Sequence, residues 1–458
     1  MGNNQTEYIK KLVSAEDAVK AINSGDWVDY GNFQCAPITL DIALSKRASE
    51  LNDVKVRAVG FPGLASVATA DPSGNSFCYN NWHFTAGDRI LHDKGLCSYI
   101  PLLYHEGAKL YDQEDLRSDF FIVRTTPMDS AGYFNFGIAN SVQKAQADKA
   151  KKIIVEVNEN MPYCFGGYGE GLHISEVDYI VGTDNRPLVQ LGDPKVSDAD
   201  RAIASLVVNE IPDGACLQLG IGGMPNVIGK MIAESDLKNL GVHTEMLVDS
   251  FVDMYEAGRI TNSEKAVCPG KMVYTFALGS SKLYEFLHLN PTCASYPVDY
   301  VNKPEIIAMN DKVMSINNAV EIDLFGQVSS ESSGFRQISG TGGQFDYHYA
   351  AFHSRGGKGF ICLTSTVTDK NGNLSSRIRP YLNHGTIVTL PRTAVHYVVT
   401  EFGMACLKGK STWQRAEALI EIAHPDFQEE LVKESEKMGI WRASNKRDAD
   451  SMRIRMAG

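Results

Sequence analysis

Apolar positions along the chain follow two alternating rhythms. Between Ser14 and Gly25, Ala18, Val19 and Ile22 fall on one side of a helix that the Ser14-x-x-Asp17 capping pattern opens and Gly25 closes. From Ser197 to Gly214 the rhythm repeats: Ser197-x-x-Asp200 opens a helix carrying Ile203, Leu206 and Val207, and Pro212 and Gly214 stop it. After each helix the period shortens. GDWVDYGNFQCAP (25–37) and GACLQLGIGGMP (214–225) each read as a short strand running into a Gly and Pro turn that opens the next helix. Val54-Lys55-Val56 and Val242-His243-Thr244 then answer each other as the following strand.

A pattern that recurs at a fixed distance predicts a duplicated architecture. Further along, 119–137 resembles 359–377, with Asp129-x-x-Gly132 matching Asp369-x-x-Gly372 in a strand, polar turn, strand arrangement. Two more β-branched runs, 151–162 and 385–399, predict buried strands. Strands alternating with helices point to an α/β fold: two similar open α/β/α domains with mostly parallel sheets, residues 1–190 and 191–458. The segment 183–198, with Pro187 and Pro194, reads as the linker; from Thr412 onward the pattern is helical, and the charged stretch 444–458 is expected to fray.

Composition narrows the function. With 458 residues, 43% hydrophobic and 22% charged, the chain can bury full cores, and disorder or a fibrous class is excluded. Its 44 Lys+Arg stand against 55 Asp+Glu, a net charge of −11, so no basic surface is available for nucleic acid. No run reaches the roughly 18 apolar residues a membrane span needs, and MGNNQTEYIKKLVSAED lacks the apolar heart of a secretory signal, so a cytoplasmic location is expected. Met1-Gly2 with Thr6 fits only the loose myristoylation pattern. Nine dispersed cysteines without C-x-x-C, and histidines without HExxH, predict neither disulfides nor a metal site.

Candidate chemistry concentrates in the second half. Gly220-Ile221-Gly222-Gly223 follows a strand, and Pro225-Asn226 begins a helix with Pro near the first position; amides in such a turn face negative charge above them. A dinucleotide site is the obvious alternative, with Gly220-x-Gly222 and Asp249, but Pro225 stands where its third glycine belongs. Ser339-Gly340-Thr341-Gly342-Gly343-Gln344 is a second loop whose glycines allow backbone approach to a ligand, and Lys358 follows it. Glu245 sits directly after a short strand where the first half has Arg57, so the acid exists in one half alone.

In this order and spacing, Gln218–Pro225, Gly241–Met246 and Ser339–Gln344 resemble the acetyl-CoA hydrolase/transferase family of class I CoA-transferases, nearest the butyryl-CoA:acetate and 4-hydroxybutyrate branch. The resemblance spans essentially the whole chain, including Asp26–Gly31 and the Asp129 turn. It implies two α/β/α domains and ping-pong CoA transfer, with Glu245 as nucleophile. Gly220, Ile221, Gly222, Gly223, Gly340, Gly342 and Gly343 are implied as oxyanion and CoA contacts, with Asn226, Gln344 and Lys358 beside them. The substrates would be a short-chain acyl-CoA and a small carboxylic acid. No cofactor is implied, coenzyme A being substrate and transient adduct, and a homo-oligomer is expected. Acyl-CoA hydrolysis at the same site, a nicotinamide-dependent oxidoreductase and a non-catalytic acyl-CoA binder are the alternatives.

Overall fold

The computed structural model describes residues 3–112, 116–182, 185–192, 195–220 and 222–441. Met1, Gly2, Pro194, Ile221 and the stretch 444–458 therefore lie outside the described residues. The first domain is built on a seven-stranded, all-parallel sheet of β1 (Trp27–Tyr30), β2 (Val54–Ala58), β3 (Phe77–Asn81), β4 (Ser98–Tyr99), β5 (Phe120–Thr125), β6 (Lys152–Val157) and β7 (Tyr179–Gly182), in the order β4-β3-β2-β1-β5-β6-β7. Every residue of β5 is buried, as expected of a parallel strand covered on both faces. The second domain holds a six-stranded sheet of β8 (Cys216–Leu219), β9 (Gly241–Val242), β10 (Val313–Asn318), β11 (Lys358–Cys362), β12 (Tyr397–Thr400) and β13 (Gly403–Cys406), ordered β9-β8-β10-β11-β12-β13. Only the β12–β13 pair runs antiparallel in it.

The capping patterns act as their chemistry demands. Ser14 accepts the Asp17 backbone N–H ahead of the helix Ala15–Val19, and Ser197 with Asp200 forms a reciprocal capping box ahead of Asp198–Val208. In the duplication, β1 and β2 correspond to β8 and β9, adjacent and parallel in both sheets. The next correspondence is corrected. The strand beside β8 is β10, not β11, so β5 matches β10, and the counterpart of Asp129-x-x-Gly132 is Asp323-x-x-Gly326. Asp323 Oδ1 accepts the Phe325 and Gln327 amides just as Asp129 Oδ1 accepts those of Ala131 and Tyr133. Asp369 builds the same turn one strand further over, because an Asx turn closed by a positive-φ glycine recurs wherever a strand must reverse. The run 385–399 also differs: only Tyr397–Thr400 is strand, while Ile387 and Val388 are exposed and Pro391 removes a ladder donor. Pro225 falls at the third residue of the helix Gly223–Glu234, still among the positions whose N–H lacks an intrahelical acceptor.

One apolar core joins the domains, with Phe121 and Phe136 from the first and Leu217, Ile316 and Phe360 from the second. Across the junction the rings of Phe33 and Phe276 stack with centroids 3.9 Å apart. The backbone amides of Asn140 and Ala277 donate to the carbonyls of Thr275 and Ile138. The connecting segment is pinned too: Gln34 bonds both backbone groups of Val189, and Tyr284 donates to the same carbonyl at 2.7 Å. Among the described residues all cysteines are free, no helix is long and apolar enough to cross a membrane, and no cluster of His, Cys, Asp and Glu could hold a metal.

Candidate active site

Glu245 lies where the chain leaves the large sheet of the second domain. Beyond β9, the His243 amide still donates to Leu217, the next strand over, but the Thr244 amide donates to Val273 and the chain turns away. At the bend, the Glu245 carbonyl accepts from both Thr275 and Phe276, which fixes the backbone. Its partly buried side chain then faces the loop 339–343. Asn302 Nδ2 donates to Oε2 at 2.6 Å, and the Gly343 backbone amide adds a second donor. Gly343 caps the ten-residue helix Gln344–His353, so the carboxylate also sits at the positive end of a helix dipole.

These donors do not keep Glu245 acidic. Burial raises its pKa to about 8; Asn302 and Gly343 pull it down, and Asp346 pushes it up. Asp346 is fully buried, accepts from His105 Nδ1 at 2.7 Å and from the His105 amide at 3.2 Å, and takes a long bond of 3.4 Å from Asn302 Nδ2. The Tyr104 hydroxyl pairs with Ser141 Oγ, and its pKa is raised by burial and by Glu245. The first domain therefore supplies part of the wall.

It also supplies the clamp on the loop. A Cβ on Gly340 would stand 2.6 Å from the Trp82 carbonyl, so the loop lies directly against the first domain. Tyr99 accepts the Thr341 amide at 3.1 Å and donates to the buried Glu331, which also takes the Thr341 hydroxyl. Arg89 donates to the Ile338 carbonyl, Ser339 pairs with His83, and Arg336 forms a two-pronged ion pair with Asp93.

Glu245, Gly340, Gly342, Gly343 and Gln344 thus come together. The turn carrying Gly220, Gly222, Gly223 and Asn226 is the neighbouring feature: Gly222 lies beside the Asn318 side chain, and the Asn318 carbonyl takes the Gln344 amide at 2.9 Å. Ile221 is outside the described residues. Lys358 does not join them. It opens β11 at the amino-terminal edge of the sheet, where its ammonium pairs with Glu210 at 2.5 Å, while Asn318 ends β10 at the opposite edge. A lysine following a glycine-rich loop in sequence is here a helix length away from it. Asp249, which a dinucleotide site would use, has its carboxylate taken by the Ser280 amide and hydroxyl. Arg57, set against Glu245 by sequence spacing, corresponds by strand register to His243 instead, because Trp27–Lys55 answers Cys216–Gly241; it is locked to Asp29 by two buried bonds of 2.7 and 2.9 Å.

Sequence reasoning missed Asn302, Asp346, His105 and Ser141. They arrive from separate segments without a shared motif; the one local signal was the position of Asp346 just after the glycine loop.

Family models for the acetyl-CoA hydrolase/transferase N-terminal domain and C-terminal domain match residues 1–191 and 279–435. The chain belongs to this family. It is accordingly an enzyme of CoA-thioester chemistry. Among curated members, the butyryl-CoA:acetate CoA-transferase of Anaerostipes caccae is 50% identical over 441 residues, covering 96% of this chain and 99% of that protein. The 4-hydroxybutyrate coenzyme A transferase of Clostridium kluyveri is 40% identical, covering 94% and 98%. Among solved structures, RipA from Yersinia pestis superposes with a TM-score of 0.87 at 35% identity, covering 96% of this chain and 100% of that one.

Proposed function

We propose that this family member moves CoA between a short-chain acyl-CoA, of the butyryl-CoA or 4-hydroxybutyryl-CoA class, and a carboxylate acceptor such as acetate, through covalent intermediates on Glu245. The observation that carries the reading is a single carboxylate with one oxygen held and one left to react. Oε2 is held by the Asn302 amide with Gly343 packed against it, whereas Oε1 faces the loop at Gly342. Oε1 attacks the thioester carbonyl and the CoA thiolate leaves, which forms an acyl-glutamyl anhydride. The thiolate then adds to the Glu245 carbonyl carbon, negative charge develops on Oε2 where the Asn302 N–H already points, and the donor acid departs as carboxylate. The glutamyl-CoA thioester that remains is attacked by the acceptor, and the same steps run in reverse. One thioester replaces another, so the chemistry calls for no ATP, metal or redox cofactor.

A raised pKa suits this use. At pH 7 a carboxyl with a pKa of about 8 is ionised in roughly a tenth of molecules, but the ionised form is more basic, and hence more nucleophilic, than an ordinary carboxylate. Gln344 Oε1 is buried and takes no donor among the described residues, which leaves an acceptor for an N–H of bound CoA.

The reading is tested by incubating the enzyme with butyryl-CoA and no acceptor. A CoA adduct should appear on Glu245 by intact mass and peptide mapping, and acetate should discharge it. Discharge by water at the same rate would make the enzyme a hydrolase instead.

A further inference from the structure

The proposed nucleophile is held from the other domain, through a chain of side chains that the transfer steps themselves do not use. We propose that His105 and Asp346 are positioning residues for Glu245, acting through the shared amide of Asn302. This rests on Glu245 as the nucleophile.

Asn302 lies fully buried between two carboxylates, with Nδ2 2.6 Å from Glu245 and 3.4 Å from Asp346. An amide placed between two carboxylates must present its nitrogen to both, so one N–H goes to each. Asp346 therefore decides where the second N–H points, which is at Oε2. Asp346 is in turn held by both the ring and the backbone amide of His105. His105 belongs to the short 3-10 turn Tyr104–Glu106 of the first domain, whereas Glu245, Asn302 and Asp346 belong to the second. The oriented carboxylate thus exists only when the domains are apposed.

The arrangement also makes the ionisation of Glu245 depend on this pair. The titratable groups that face it are Tyr104 from the 3-10 turn, Asp346 and Tyr347 from the helix Gln344–His353, and His83 from the segment after β3. Burial pushes both tyrosines well above their usual range and holds His83 down at about 4, so all three stay uncharged near neutrality. His105 faces Asp346, Glu106 and Glu305; burial opposes its charge, but these carboxylates raise its pKa. Burial likewise raises Asp346, against His105 and Asn302. The charge that Glu245 feels near neutrality is the charge of this pair.

Three variants test it with butyryl-CoA as donor and acetate as acceptor. His105→Leu removes the bond to Asp346 and should slow formation of the CoA adduct about tenfold, the worth of one charge-assisted hydrogen bond, with KM for butyryl-CoA nearly unchanged. His105→Asn places an amide nitrogen where Nδ1 was and should recover most of that loss. Asp346→Asn removes a like charge from beside the nucleophile and should move the acid limb of kcat/KM down by about one pH unit. The midpoint of that limb does not depend on how much enzyme is folded, so it remains readable if the variant is less stable. A parental adduct rate in His105→Leu, no recovery in His105→Asn, or an unmoved limb in Asp346→Asn would overturn the inference. Glu245→Gln separates the levels: if it is inert while the three variants behave like the parent, the positioning pair alone falls, and if it turns over, both readings fall.

Discussion

Gly343→Ala applies the smallest perturbation that reaches the Glu245 carboxylate. At φ −92° Gly343 has a backbone that alanine adopts freely, so the methyl group brings no conformational strain. Its cost is spatial. The added Cβ would stand 2.1 Å from Glu245 Oε2, 3.0 Å from its carboxyl carbon and 2.4 Å from Asn302 Nδ2. Ordinary contact begins near 3.4 Å, so the carboxylate must retreat by more than 1 Å and Asn302 must follow. A flexible side-chain end can move at little cost to folding, and the loss of a glycine N-cap adds only about 1 kcal/mol. A misplacement of about 1 Å at a reacting atom, by contrast, costs on the order of 100-fold in rate. Gly342→Ala is the mirror experiment. Its Cβ would lie at an ordinary 3.5 Å from Oε1, but φ is +53°, which charges roughly 1 to 2 kcal/mol to stability. Turnover of butyryl-CoA with acetate, the single-turnover rate of adduct formation and Tm should therefore move in opposite patterns. Gly343→Ala should lose about 100-fold in turnover with a small change in Tm; Gly342→Ala should lose more Tm and less turnover. Parental turnover in Gly343→Ala, or a larger turnover loss in Gly342→Ala, would refute the placement of the carboxylate against this loop.

Glu245→Gln should form no CoA adduct and lose several orders of magnitude in transfer, checked by intact mass and by product analysis. For the parent, kcat/KM should rise with pH through an apparent pKa of about 8, because the ionised carboxylate attacks; a limb at the ordinary carboxyl value of 4.5 would contradict the burial argument. The same shift bears on stability with the opposite sign. A carboxyl whose folded pKa lies above its unfolded value favours the folded state at low pH, and that advantage is lost as pH rises from 4.5 through 8, so Glu245→Gln should raise Tm at pH 9 and do little at pH 4. Lys358→Ala should leave turnover and KM within about twofold and lower Tm slightly, since the pair with Glu210 is at the far edge of the sheet and half exposed.

Local signals carried the fold further than they carried the site. Capping boxes, glycine stops and β-branched runs act over a few residues, so Ser14, Ser197, β1, β8 and the duplication are readable along the chain. The match of Asp129 to Asp369 failed for the same reason: the Asx turn is a local solution, and only sheet order shows that Asp323 is the partner by position. The site depends on chain paths that no local pattern records. Asn302 follows a four-residue helix and reads as an ordinary cap, and His105 sits in a loop of the opposite domain. Glu245 was singled out because the pattern of the whole chain resembles one family, while Lys358, placed beside the loop by sequence, lies at the opposite sheet edge because the helix Gln344–His353 intervenes.

The duplicated domains differ where the proposed chemistry is placed. In the first domain the turn after β1 leads into the helix Ile38–Ser45, and the Leu40 amide in its first turn donates at 3.0 Å to Glu156, a buried carboxyl from the end of β6. Burial lifts Glu156 to about 7, and Leu40 pulls it back. The anion-binding end of that helix is thus filled from within its own domain, and Arg57 of β2 is spent on Asp29 of β1. In the second domain the matching helix Gly223–Glu234 begins at exposed Gly222 without a side-chain cap. Gly222 lies beside Asn318, whose carbonyl takes the Gln344 amide next to the loop 339–343. One copy of the fold has turned a buried carboxyl onto its own helix, whereas in the other Glu245 faces the loop 339–343 with the first domain behind it, the asymmetry that the proposed transfer requires.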